Sequence, residues 1–151
     1  MRNDRRKLLK YSAAVAGAAM AGPVMTGFIA GCEKDTVKSS DKTYEYNVAS
    51  RNELASEGGA VMETLGELNS GKPVVIIRSD VSRFVVLSSV CTHQGCQVNL
   101  PNSPGGDIIC ACHNSKFSST DGAVKQGPAE TPLRRFASSY DPESNKLTIT
   151  Y

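Results

Sequence analysis

The sequence predicts an all-β domain, an antiparallel β-sandwich or barrel with a smaller subdomain inserted into it. Three observations predict it. The 151 residues have room for one domain plus a leader, and no second core of any size. Glycine, proline and β-branched residues are plentiful and long helical patterns are few. Short apolar or alternating runs recur between clusters of turn residues, the rhythm of small antiparallel sheets.

Taken in order, residues 1–31 read as a targeting segment rather than part of the fold. Asp4-Arg5-Arg6-Lys7-Leu8-Leu9-Lys10 sets twin arginines ahead of two leucines, and residues 11–31 carry no charge. The pattern resembles a twin-arginine export signal, whose task is to move proteins already folded around a cofactor. The plainer reading is the basic n-region of an ordinary secretory signal, and the weak hydrophobicity of the apolar stretch favours the twin-arginine one. Ile29-Ala30-Gly31-Cys32 resembles a bacterial lipobox, which implies cleavage before Cys32 and acylation of its thiol. The competing reading is an uncleaved anchor helix over residues 11–31, since about 20 residues suffice to span a bilayer. Gly17, Gly22, Pro23 and Gly27 make it a poor one. Either reading tethers the domain to the outer face of the cytoplasmic membrane. Five basic residues and one acidic residue precede Cys32, which leaves 12 basic and 14 acidic residues beyond it. The excess of positive charge belongs to the leader, so it is no sign of nucleic-acid binding.

Residues 32–42 are polar and read as a flexible tether. Strands are expected at 43–48, 73–77, 84–87, 107–109, 133–140 and 146–151. Residues 78–83 would connect the second to the third, and 141–145 would turn the last hairpin. Residues 51–68 are less regular, with a helical turn expected at 53–55 and a strand at 61–65. Residues 43–87 and 122–151 would form a base sheet. The inserted subdomain would span about residues 88–121, and residues 43–151 make up the whole domain.

Cysteine and histidine are distributed unevenly. Four of the five cysteines and both histidines fall into two short boxes, Cys91-Thr92-His93-Gln94-Gly95-Cys96 and Cys110-Ala111-Cys112-His113-Asn114-Ser115. Each box offers a cysteine and a histidine close enough to bind one metal centre, plus a second cysteine. The boxes lie between strand candidates, in loops, where sites are usually built.

These boxes resemble those of the Rieske family, C-T-H-x-G-C and C-x-C-H-G-S. The likeness extends loosely over residues 43–151. It implies one [2Fe–2S] cluster, with Cys91 and Cys110 binding one iron through thiolates and His93 and His113 binding the other. It implies a disulfide between Cys96 and Cys112, and a hydrogen bond from Ser115 to a bridging sulfide. Neutral imidazoles in place of two thiolates favour reduction, and potentials run from about −150 to +300 mV against about −400 mV for plant-type clusters. A disulfide between loops fits an oxidising compartment, which the leader independently predicts. Gly127-Pro128-Ala129 with Pro132-Leu133 resembles the family's proline-rich shielding loop. The chain departs from the pattern at Ala111 (usually proline), at Asn114 (usually glycine) and at Phe117, where respiratory members carry a tyrosine.

Two plainer readings compete. A Cys₂His₂ zinc site would leave the offsets of Cys96, Cys112 and Ser115 unexplained. A domain merely stapled by disulfides would leave both histidines idle. With both histidines assigned, none remains for a mononuclear iron, a haem or a general base, so the chain reads as an electron carrier rather than an autonomous enzyme. The resemblance implies three settings. One is the iron–sulfur subunit of a quinol:cytochrome c complex, with cytochrome b and cytochrome c as partners and quinol bonded to an exposed ligand histidine. Another is the small subunit of a periplasmic molybdenum oxidase such as arsenite oxidase, and the last a free lipid-tethered ferredoxin-like module. Gln94 stands where respiratory members usually carry an apolar residue.

Overall fold

The computed structural model describes residues 41–151. The leader, Cys32 and the tether up to residue 40 lie outside the described residues. Nine strands run in chain order: β1 Thr43–Asn47, β2 Ala60–Glu63, β3 Val74–Asp80, β4 Arg83–Ser88, β5 Ile108–Cys110, β6 Ser115–Phe117, β7 Val124–Gln126, β8 Arg135–Asp141 and β9 Lys146–Thr150. Single 3₁₀ turns at Val48–Ser50 and Asn52–Leu54, and a short stretch at Leu68–Gly71 that bends through left-handed Asn69 and Ser70, are the only helical pieces among the described residues. None of them is long or apolar enough to cross a membrane.

Six strands form an antiparallel sheet in the order β1-β9-β8-β4-β3-β2, and β5-β6-β7 form a second, smaller one. The apolar run in β3 explains how they pack. Val74, Val75, Ile76 and Ile77 are all buried, as expected of a strand covered on both faces. Val74 and Ile76 join Phe84, Val86, Phe136, Leu147 and Ile149 in one core. Val75 and Ile77 turn the other way and join Val85, Leu87, Ile108 and Phe117 in another. That second core holds the small sheet against the large one. β9 alternates instead, with Leu147 and Ile149 buried and the lysine and threonines between them more open, because only one of its faces is covered.

Three expectations are corrected. Residues 78–83 are not all connection. Pairing continues through Arg78↔Phe84 and Asp80↔Arg83, which leaves only Val81 and Ser82 in the turn. Arg78 looks like a turn residue but is held in the strand: its guanidinium lies over the rings of Phe84 and Tyr140 and donates to the carbonyl of Leu54. The second box is not all loop, because β6 begins inside it at Ser115. The small sheet also reaches past Asp121, since β7 pairs with β6. Three-residue strands such as Ser-Lys-Phe and Val-Lys-Gln are too short to show a period, so only their pairing reveals them.

Gly58 marks where the large sheet's loop meets the small subdomain. Its φ of +79° favours glycine, and a Cβ there would stand 2.2 Å from the Cβ of Pro104. No larger residue fits this close approach.

Candidate metal centre

The two boxes fold by the same local device. In the first, the carbonyl of Cys91 accepts from the N–H of Gly95 at 2.9 Å, and in the second the carbonyl of Cys110 accepts from the N–H of Asn114 at 2.9 Å. Both closing residues have positive φ, 75° for Gly95 and 62° for Asn114. Asparagine is among the few non-glycine residues at ease there, so Asn114 can replace the glycine of the family pattern. The first box leaves β4 through Ser89, whose hydroxyl donates to the carbonyl of Pro73. The second is the hairpin between β5 and β6, flanked by the pair Cys110↔Ser115.

The structure brings the two histidines together. Their Nδ1 atoms lie 3.2 Å apart, with the rings nearly perpendicular at 88°. His113 is exposed and His93 half-buried. The cysteines divide into two kinds. Cys96 and Cys112 form a disulfide between the boxes, with Cα atoms 6.6 Å apart. Cys91 and Cys110 are free thiols buried in the second core. Burial pushes the Cys110 thiol up, and the neighbouring Cys91 adds to this. Backbone N–H groups of Cys112 and His113 bond the Cys110 sulfur and pull the other way. The Cys110 sulfur also lies within 4.8 Å of both disulfide sulfurs.

A third loop closes over the boxes. The N–H of Ala129 donates to the buried Ser115 hydroxyl at 3.0 Å. The Thr92 hydroxyl donates to the carbonyl of Thr131 at 2.6 Å. Ala129 and Leu133 are buried beside Cys91 and Cys110, and the Gly127–Pro128 bond is cis. The sequence reading gave Thr92 no role, because box spacing does not tell where a hydroxyl points.

The donor chemistry fits a metal group. Cys96 and Cys112 are already bonded to each other, so the free donors are two thiols and two imidazoles. Two Nδ1 atoms this close can share either a proton or a cation between the rings, according to tautomer. Soft sulfur with imidazole nitrogen suits zinc as well as iron–sulfur centres. The comparison with known families decides between them: the family model of the Rieske [2Fe-2S] domain matches residues 45–137.

The chain belongs to the Rieske family.

The Rieske domain is an electron carrier that binds one [2Fe–2S] cluster. A Haloferax mediterranei protein named as a respiratory nitrate reductase Rieske subunit is 45% identical over 54 residues, 35% of this chain and 24% of that protein. The cytochrome b6-f complex iron-sulfur subunit of Chlorobaculum thiosulfatiphilum is 30% identical over 78 residues, 52% of this chain and 41% of the relative. The chain thus spans less than half the length of either. Among solved structures, the soluble domain of the Rieske protein II of Sulfolobus acidocaldarius shares the fold at a TM-score of 0.58. The match has 18% identity and covers 75% of this chain and 80% of that one.

Phe117 gives this Rieske site a testable property. Its ring is fully buried in the core that holds Cys91 and Cys110, and it brings no hydroxyl towards the sulfurs. Phe117→Tyr is expected to raise the midpoint potential in protein-film voltammetry, because an added donor stabilises the negative charge of the reduced state. An unchanged or lower midpoint would refute this account.

Proposed function

We propose that Cys91 and Cys110 hold one iron through their thiolates and that His93 and His113 hold the other through Nδ1. We further propose that the protein is the iron–sulfur subunit of a membrane-associated respiratory oxidoreductase of the quinol:cytochrome c type. It would be exported by the twin-arginine route and tethered at the outer face of the cytoplasmic membrane, by an acylated Cys32 or an uncleaved helix. The observation that carries the reading is a pair of exposed and half-exposed imidazoles in mutual contact, on the same two boxes as two buried free thiols. The cytochrome b6-f relative supports the choice of complex.

When bound, the cluster takes up and returns one electron. The residues around it set how readily. His93 and His113 contribute no negative charge where thiolates would, which favours reduction. The apolar core around Cys91 and Cys110 keeps water from the sulfur side. Ser115 accepts the Ala129 N–H on its oxygen, so its own proton is free to donate towards added negative charge. The exposed edge of His113 lets a partner approach closely.

Gln94 favours a second reading, the small subunit of a periplasmic molybdenum oxidase. Its exposed amide lies beside His93, and burying it in an apolar quinol pocket without a partner would cost about 1–3 kcal/mol. Purification of the tagged chain from solubilised membranes tests both. Co-purification with b-type haem, and reduction by a quinol analogue in that complex, is the expected result. Co-purification with a molybdenum protein and no haem would establish the second reading, and purification with neither would leave a free carrier.

A further inference from the structure

Three sulfur atoms crowd the junction of the two boxes. The Cys110 sulfur lies within 4.8 Å of both members of the Cys96–Cys112 disulfide. Thiols and disulfides held this close exchange by attack of a thiolate on one sulfur of the bridge.

We infer that Cys110 is an exchange centre in the cluster-free chain. Its sulfur attacks Cys96, forms a Cys96–Cys110 disulfide and releases Cys112. The inference rests on Cys110 being a cluster ligand, and it adds what that residue does when the cluster is absent. The chemistry balances without an added reagent. One S–S bond forms and one breaks, the electron pair of the broken bond leaves on Cys112, and the proton lost by Cys110 is matched by one gained there.

The direction of attack follows from exposure. Cys112 is exposed and Cys96 only half so; the better-solvated sulfur departs as thiolate more readily. The opposite product would join Cys110 to Cys112 across the single residue Ala111, too short a span for relaxed disulfide geometry. Exchange ties up one ligand and locks the chain against loading. Iron coordination commits the Cys110 sulfur elsewhere, so the loaded protein keeps its bridge. Loading before the chain meets an oxidising compartment would avoid the lock, which is what a signal for folded cargo allows. Cys91 is the other free thiol beside Cys110; its attack on the new bond would pass the disulfide on to Cys91–Cys110 and release Cys96, a product the peptide map distinguishes.

The test uses the full chain purified with its cluster. EPR recorded first checks the ligand reading by itself, and a missing signal would overturn that reading whatever the thiols do. The protein is then stripped with a chelator under argon, held at about pH 8 for hours, quenched in acid, labelled with maleimide and mapped by mass spectrometry. A Cys96–Cys110 peptide and label on Cys112 should rise together, while unstripped protein keeps Cys96–Cys112. The fraction that can be reloaded with iron and sulfide should fall in step and recover with a thiol reductant. Cys91→Ser should still exchange, and Cys110→Ser should not. Persistence of Cys96–Cys112 with label confined to Cys91 and Cys110 would overturn the proposal, as would formation of a Cys110–Cys112 or Cys91–Cys110 pair instead.

Discussion

His113→Ala protein is expected to retain less than about a tenth of the acid-labile sulfide of the unaltered protein and to lose the EPR signal of the reduced cluster. His113 is one of only two histidines in the chain, and its Nδ1 stands 3.2 Å from that of His93. The adjacent Asn114 has its backbone engaged in closing the hairpin, and an amide is a weak ligand in any case. The fold should survive. The His113 side chain is exposed and its ring contact is with His93, so the stability of the stripped variant should match that of stripped wild type to within about 0.5 kcal/mol. That separates loss of a ligand from loss of structure. His113→Cys provides the complementary measurement. A thiolate there restores a donor but adds negative charge, so a cluster should form with its midpoint shifted towards about −400 mV. Full sulfide content and an unaltered EPR signal in His113→Ala would show that this histidine holds no iron.

Replacing both Cys96 and Cys112 with serine should cost about 3 kcal/mol, from the entropy regained when a 16-residue loop is released in the unfolded chain. For a domain of this size, the melting temperature should fall by roughly 10 °C. The double variant is the informative one, because a single substitution leaves a free thiol beside Cys110. The bridge joins the two boxes directly, so its loss should also loosen their mutual placement. Cluster absorbance in the visible should then bleach before the global transition. A melt within about 2 °C of the unaltered protein would mean that packing by Ala129, Leu133 and Phe117 holds the boxes without help.

The small sheet shows why some of the fold is illegible in one dimension. β3 and β4 stand out because their apolar runs are long enough to be recognised alone. β6 and β7 are three residues each, and they are strands only because β6 pairs with β5 and β7 pairs with β6. The connection expected at residues 78–83 shrinks to two residues for a similar reason. Arg78 is charged, yet the ring of its hairpin partner Phe84, together with the Tyr140 ring and the Leu54 carbonyl from distant parts of the chain, holds it inside the ladder. No short window of sequence around Arg78 contains Leu54 or Tyr140.

At the centre itself the division is sharper. Sequence alone determined the donor inventory: two boxes, four cysteines and two histidines at offsets specific enough to name a family and its cluster. It also determined that Phe117 lacks the family hydroxyl and that Asn114 takes a position that favours glycine. The resemblance already implied the Cys96–Cys112 bridge, and the structure contains it; tertiary structure alone decided which imidazole reaches solvent and that Thr92 and Ser115 bind the third loop from the two boxes. Ligand identity is a property of side-chain chemistry, which the chain carries in any conformation. Pairing, exposure and hydrogen-bond direction depend on atoms up to 39 residues apart, as between Thr92 and Thr131, and exist only once the sheets have brought those atoms together.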